Sequence, residues 1–143
     1  MRYFLDTSVL LKIYHREDES DKIIKIYNSN DVIIISELAT VEIFSAIYKK
    51  VRQGILTEDD ARKINTIIND DMLNRFKVLR FASYVTLESK KLLDEFAFEY
   101  SLRTLDALQL AFYITYCEKD DVFLSTDKTL QEVASRHCNN YGF

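Results

Sequence analysis

Met1-Arg2-Tyr3-Phe4-Leu5-Asp6-Thr7-Ser8-Val9-Leu10-Leu11-Lys12-Ile13 decides how the whole chain is read. Tyr3 to Leu5 favour a strand, Asp6 supplies a carboxylate, Thr7 and Ser8 supply hydroxyls, and the apolar residues after them are spaced like the start of a helix. That order places Asp6 at the carboxyl end of a strand. In an open α/β sheet, ligand crevices form at that edge. The fold then depends on whether strands and helices go on alternating, and the function on what else reaches the same edge.

Working outward, the alternation continues. Residues 17–28 carry Ile23, Ile24, Ile26 and Tyr27 among charges, an amphipathic helix. Val32-Ile33-Ile34-Ile35-Ser36 is a β-branched run without polar alternation, the pattern of a strand buried on both faces. Helical spacing returns over residues 37–53 with Ile43, Phe44, Ile47, Tyr48 and Val51, and ends in Lys49, Lys50 and Arg52 before Gly54. Thr57 followed by Glu58, Asp59 and Asp60 marks another helix start. A third strand is expected over 76–81, helices over 84–100 and 103–117, a strand over 122–126 ending at Asp127, and a last helix over 128–137. This predicts a three-layer α/β/α domain with a mostly parallel central sheet, one unit over residues 1–143. With no proline and only Gly54 and Gly142, turns lack their usual markers.

Composition narrows the function. Hydrophobic residues make up 48% of the 143, enough for a sizeable core. Cys117 and Cys138 lack Cys-x-x-Cys spacing, so reduced thiols are expected rather than a disulfide scaffold or a zinc site. No apolar run approaches the roughly 20 residues that span a bilayer, so a soluble, cytoplasmic protein without membrane contact is expected. The net charge of −4 excludes a generic polycation for nucleic acid. Binding phosphate would need a local device, such as divalent cations on a carboxylate cluster.

The acids supply such a cluster. Asp127 ends its strand as Asp6 ends the first, so both should project at one edge. Asp106 lies in Leu105-Asp106-Ala107-Leu108-Gln109-Leu110-Ala111, a helix apolar on nearly every side, where an ionised carboxylate needs a partner or a metal. Glu42 sits one turn into the helix that follows the Ile-rich strand. Oxygen ligands suit Mg²⁺ or Mn²⁺. Thr7, Ser8, Ser125 and Thr126 place hydroxyls beside these acids. Taken singly, Asp6 and Asp127 also read as helix caps and Glu42 as a surface acid.

Tyr-Phe-Leu-Asp-Thr-Ser-Val-Leu at 3–10, Ser-Glu-Leu-Ala-Thr-Val-Glu-Ile at 36–43, Leu-Arg-Thr-Leu-Asp-Ala-Leu-Gln-Leu-Ala at 102–111 and Val-Phe-Leu-Ser-Thr-Asp at 122–127 resemble the four motifs of PIN-domain ribonucleases. More narrowly, the chain is similar to the toxins of VapBC toxin–antitoxin systems, over nearly its whole length. The resemblance implies that Asp6, Glu42, Asp106 and Asp127 are catalytic, metal-binding acids, with Ser8 and Thr126 as supporting hydroxyls. It implies a Mg²⁺- or Mn²⁺-dependent endoribonuclease acting on RNA, a homodimer, and a cognate antitoxin as partner. Asp6 and Asp106 are then read as direct ligands, with Glu42 and Asp127 binding directly or through water.

Competing classes fit less well. A haloacid-dehalogenase-type phosphatase places a second acid two positions after the first, where this chain has Ser8, and a receiver domain needs an acidic pair after its first strand. The alternative kept open is a non-catalytic PIN-like module that binds RNA or protein. Ile13, Tyr14, Ile23, Ile24 and Tyr27 could serve a partner helix, the core or a dimer interface. The basic residues Lys49, Lys50, Arg52, Arg75, Lys77, Arg80, Lys90 and Lys91 are left unassigned, and His15 and His137 are too few for a histidine-based site.

Overall fold

Side chains that alternate along the strands sort the core into two halves, one on each face of a single sheet. The structure, a computed structural model, describes residues 1–138. Four strands, β1 (Arg2–Leu5), β2 (Val32–Ser36), β3 (Phe76–Leu79) and β4 (Val122–Leu124), lie in the order β3-β2-β1-β4. Every pairing among them is parallel. Phe4 stands level with Ile34 on one side and Phe123 on the other, so these three form a row on one face. Leu5, Ile33, Ile35 and Leu124 point to the opposite face.

Seven helices cover the sheet among the described residues. The Phe4 face carries α5 (Ser83–Phe96), α6 (Thr104–Tyr116) and α7 (Lys128–Ala134), through Val85, Leu92, Leu110, Phe112, Leu130 and Val133. Phe4 stacks on Phe123, with ring centroids 5.6 Å apart, and meets Tyr113 edge-on at 5.9 Å. The other face carries α1 (Thr7–Tyr14), α2 (Ser20–Tyr27), α3 (Glu37–Arg52) and α4 (Glu58–Asn74), through Val9, Leu10, Ile23, Ile43, Ile47 and Ile68. Three layers result, because a parallel sheet has two apolar faces to bury. Ile13, Tyr14, Ile23 and Tyr27 belong to this second core.

Local chemistry sets the helix ends. Gly54, at φ 72°, closes α3: its N–H donates to Val51 O at 2.9 Å, and the Ile55 N–H donates to Lys50 O at 2.9 Å, a paired C-terminal cap. Thr57 and Asp60 form a reciprocal capping box at the start of α4. Several elements are shorter than the sequence suggests. α5 stops at Phe96 rather than near Tyr100, because Glu99 and Tyr100 turn back to donate to Phe96 O, after which Leu102 is buried. β4 ends at Leu124, and residues 125–127 leave the sheet as the loop that carries Asp127.

Candidate active site

Asp6 follows β1 directly and caps α1. Its N–H donates to Leu124 O at 2.9 Å, which fixes the strand end against β4. Oδ1 accepts the Thr7 N–H at 2.7 Å, and Oδ2 accepts the hydroxyls of Ser8 at 2.8 Å and Ser125 at 2.9 Å. The residue is 8% exposed. Burial raises its carboxyl pKa above the usual range; the hydrogen bonds from Ser8, Ser125 and Thr7 oppose the rise, and the charge of Asp106 adds to it.

Glu42 enters from α3. The hydrogen bonds it accepts from described residues all fall on Oε1, from Thr7 Oγ1 at 2.9 Å and Gln109 Nε2 at 2.7 Å. Gln109 also donates to Thr7 Oγ1 at 3.0 Å and accepts from Ser36 Oγ at 2.8 Å, while Ser36 Oγ caps α3 by accepting the Ala39 N–H at 3.0 Å. One buried amide therefore joins the ends of β1 and β2 to α3 and α6. Burial raises the Glu42 pKa, the bonds from Thr7 and Gln109 lower it, and the charges of Asp6 and Asp106 raise it again.

Asp106 and Asp127 stand on the other side. Asp106 lies in the first turn of α6, as the helix expected over 103–117 implies, and is the acid of that turn. It also has a partner: Oδ2 accepts the backbone N–H of Arg103 at 3.3 Å and its Nε at 3.1 Å. Asp127 caps α7, its Oδ1 accepting the Leu130 N–H at 2.9 Å, while its Oδ2 is 3.9 Å from Arg103 Nη2. Ser125 connects this side to Asp6, accepting the Asp127 N–H at 3.1 Å as it donates to Asp6. Of the two expected supporting hydroxyls, Ser8 reaches Asp6. Thr126 contributes its N–H, which donates to Ser8 Oγ at 3.2 Å, and Ser125 supplies the second hydroxyl at Asp6.

The structure thus brings all four sequence-identified acids to the carboxyl edge of the sheet, linked by hydroxyls, an amide and one guanidinium. The helix-cap readings of Asp6 and Asp127 hold alongside this placement. Beside them lies a cavity of about 500 Å³ lined by Thr7, Ser8, Glu42, Lys49, Arg52 and Arg103, among others. Of the unassigned cations, Lys49 and Arg52 face this cavity. Three others have different uses. Arg75 donates to the carbonyls of Ile26, Tyr27, Ser29 and Asp31, Arg80 pairs with Glu37, and Lys50 pairs with Glu17.

Gln109 and Arg103 were not singled out from the sequence. Gln109 carried a usable signal, a polar residue one turn after Asp106 on an otherwise apolar helix. The oxygens available are those of carboxylates and hydroxyls, which fit a hard cation rather than a soft one. Among the described residues, no three Asp, Glu, His or Cys side chains converge into one coordination sphere. A cation here would be held by one or two carboxylates directly and by the rest through water, as Mg²⁺ commonly is.

An α/β/α sandwich that sends four acids from four elements to one sheet edge defines the class of domain. The chain belongs to the PIN domain family, whose model matches residues 3–136. Its fold is similar to FitAcB from Neisseria gonorrhoeae, at 12% identity over 99% of this chain and 96% of that one, with TM-score 0.72. VapBC2 from Rickettsia felis, solved bound to a DNA fragment from its promoter, matches at 16% identity over 100% and 98% of the two chains, with TM-score 0.67. VapC20 from Mycobacterium tuberculosis, described as a Sarcin-Ricin loop cleaving toxin, matches at 14% identity over 95% of each, with TM-score 0.62. At these identities the likeness shows the fold alone. No curated protein sequence matches this one. Among the described residues, no helix is long and apolar enough to cross a membrane.

Proposed function

We propose that this protein is a divalent-metal-dependent endoribonuclease, the cytoplasmic toxin of a toxin–antitoxin pair, with Asp6, Glu42, Asp106 and Asp127 as its catalytic, metal-binding acids. The observation that carries this reading is the meeting of Thr7 and Gln109 on one oxygen of Glu42. It ties the Asp6 strand end and the Asp106 helix to a third acid, and such a site hydrolyses phosphodiesters if it binds a hard cation. The toxin role draws support from the family, from a structural neighbour described as a toxin–antitoxin complex and from another described as a toxin.

Mg²⁺ or Mn²⁺, when bound, supplies Lewis acidity toward the scissile phosphate and lowers the pKa of water. The chain's own residues provide the orientation. Thr7 and Gln109 hold Glu42 Oε1, which leaves Oε2 as the oxygen that would meet a cation directly or through water. Ser8 and Ser125 hold Asp6 Oδ2 in place, and their hydrogen bonds oppose the rise in pKa that burial imposes on this carboxyl. Lys49 and Arg52 line the cavity that would receive the RNA backbone. Exposed apolar side chains around α5, Phe81, Tyr84 and Leu87, offer surface for the homodimer and antitoxin contacts that this reading includes.

Induced expression in a bacterium tests it. The reading expects growth arrest with new RNA 5′ ends, and neither when Asp6→Asn is expressed at the same level. Arrest by both forms without new ends would instead favour a PIN-like module that binds without cutting.

A further inference from the structure

We propose that Arg103 is an internal counter-cation of this centre, released from Asp106 and Asp127 toward an RNA phosphate when a divalent cation occupies those acids. The inference rests on the metal-site reading above and assigns one more residue to it.

The guanidinium spans two acids from separate elements, with Nε 3.1 Å from Asp106 Oδ2 and Nη2 3.9 Å from Asp127 Oδ2. Helix capping does not require it. The bond at the start of α6 runs from the Arg103 backbone N–H to Asp106 Oδ2 at 3.3 Å, and any residue but proline supplies that donor. The side chain is 76% exposed, so its ion pairs are screened by water and are given up at little cost. A divalent cation on the same carboxylates competes with the guanidinium for their oxygens and repels it.

Once released, Arg103 remains on the wall of the 500 Å³ cavity that Lys49 and Arg52 line from α3. A planar guanidinium with five donors suits a phosphodiester oxygen pair better than an ammonium does. One side chain thus serves both states: it offsets carboxylate repulsion before the cation arrives and holds substrate afterwards.

Calorimetric titration of the full chain with Mn²⁺ alone, paired with steady-state cleavage of a structured RNA, tests this on Arg103→Ala and Arg103→Lys. Removing the competitor should tighten Mn²⁺ binding by roughly two- to fivefold in Arg103→Ala, the reach of an exposed ion pair. The same variant should raise KM for RNA more than it lowers kcat. Arg103→Lys should return Mn²⁺ affinity toward wild type while leaving KM raised, because lysine keeps the charge and loses the fork. Unchanged or weaker Mn²⁺ binding in Arg103→Ala, in a wild type that does bind Mn²⁺, overturns the role of Arg103 alone. A wild type that binds no Mn²⁺ overturns the metal-site reading and this inference with it.

Discussion

Asp6 and Asp71 are both buried carboxylates, 8% and 5% exposed, yet their surroundings make them different objects. Asp71, on α4, accepts the Tyr14 hydroxyl at 2.6 Å and the Tyr27 hydroxyl at 2.8 and 3.0 Å on its two oxygens. Burial and then the hydrogen bond to Asp71 push the Tyr27 phenol up to about 12, and raise that of Tyr14 further still. The phenols therefore stay protonated and keep donating, so Asp71 clamps α1 and α2 onto α4. Asp6 is also hydrogen-bonded, but its electrostatic neighbours include Asp106, which opposes its ionisation, and Glu42, whose pKa it raises in turn. Burial of an acid does not by itself distinguish a clamp from a site. Convergence of like charges from separate elements does.

The largest expected effect separates the two acids directly. Asp6→Asn should lower metal-dependent RNA cleavage by more than about 100-fold, since even partners of metal ligands are worth 10- to 100-fold, with urea unfolding nearly unchanged. Comparable cleavage by the variant would make Asp6 a helix cap and nothing more. Next, Gln109→Leu should weaken Mn²⁺ binding by about 10- to 100-fold in calorimetry, because Glu42 loses a donor that orients it; unaltered affinity would mean that the amide serves packing alone.

Asp71→Ala should show the reverse pattern. It leaves two phenols without their acceptor and should cost about 1–3 kcal/mol in urea unfolding, while cleavage per folded molecule stays at the wild-type level. Lost activity at full folding would join Asp71 to the site and erase the contrast.

The smallest effect is a matter of pH. The folded-state pKa of Glu42 lies above its usual 4.5, so folding favours its protonated form. In chelator the wild type should therefore lose stability as pH climbs from about 4.5 through the raised value, with the full contribution present only below that window. Glutamine has no proton to lose and keeps the acceptor for Thr7 and Gln109. The melting temperature of Glu42→Gln should accordingly gain on wild type by a few degrees as pH rises. A gap that narrows with rising pH would give Glu42 the opposite sign.

The sequence made the sheet legible because its strands are short, apolar and each followed by a helix. Asp6 and Asp127 were legible for the same reason, as acids at strand ends. Asp106 stood out for its apolar neighbours, and the helix expected over 103–117 already set it in the first turn, where α6 has it. Asp71 gave no signal: it follows Asn69 and Asp70 in a polar stretch, and only packing brings Tyr14 and Tyr27 to it. Arg75 likewise reads as a surface cation, yet its guanidinium gathers four carbonyls, two from the end of α2 and two from the connection to β2. Periodicity reports which face a residue occupies, and partners far away in the chain escape it. For Gln109 the face was legible; that its amide would meet Glu42 was not.

The most direct test of the central claim is cleavage of a structured RNA by the purified chain in Mg²⁺, in Mn²⁺ and in chelator, beside Asp106→Asn. The account predicts cutting with either ion, none in chelator, and loss in the variant although it melts like the wild type. Cutting that persists in chelator, or survives Asp106→Asn, would contradict it.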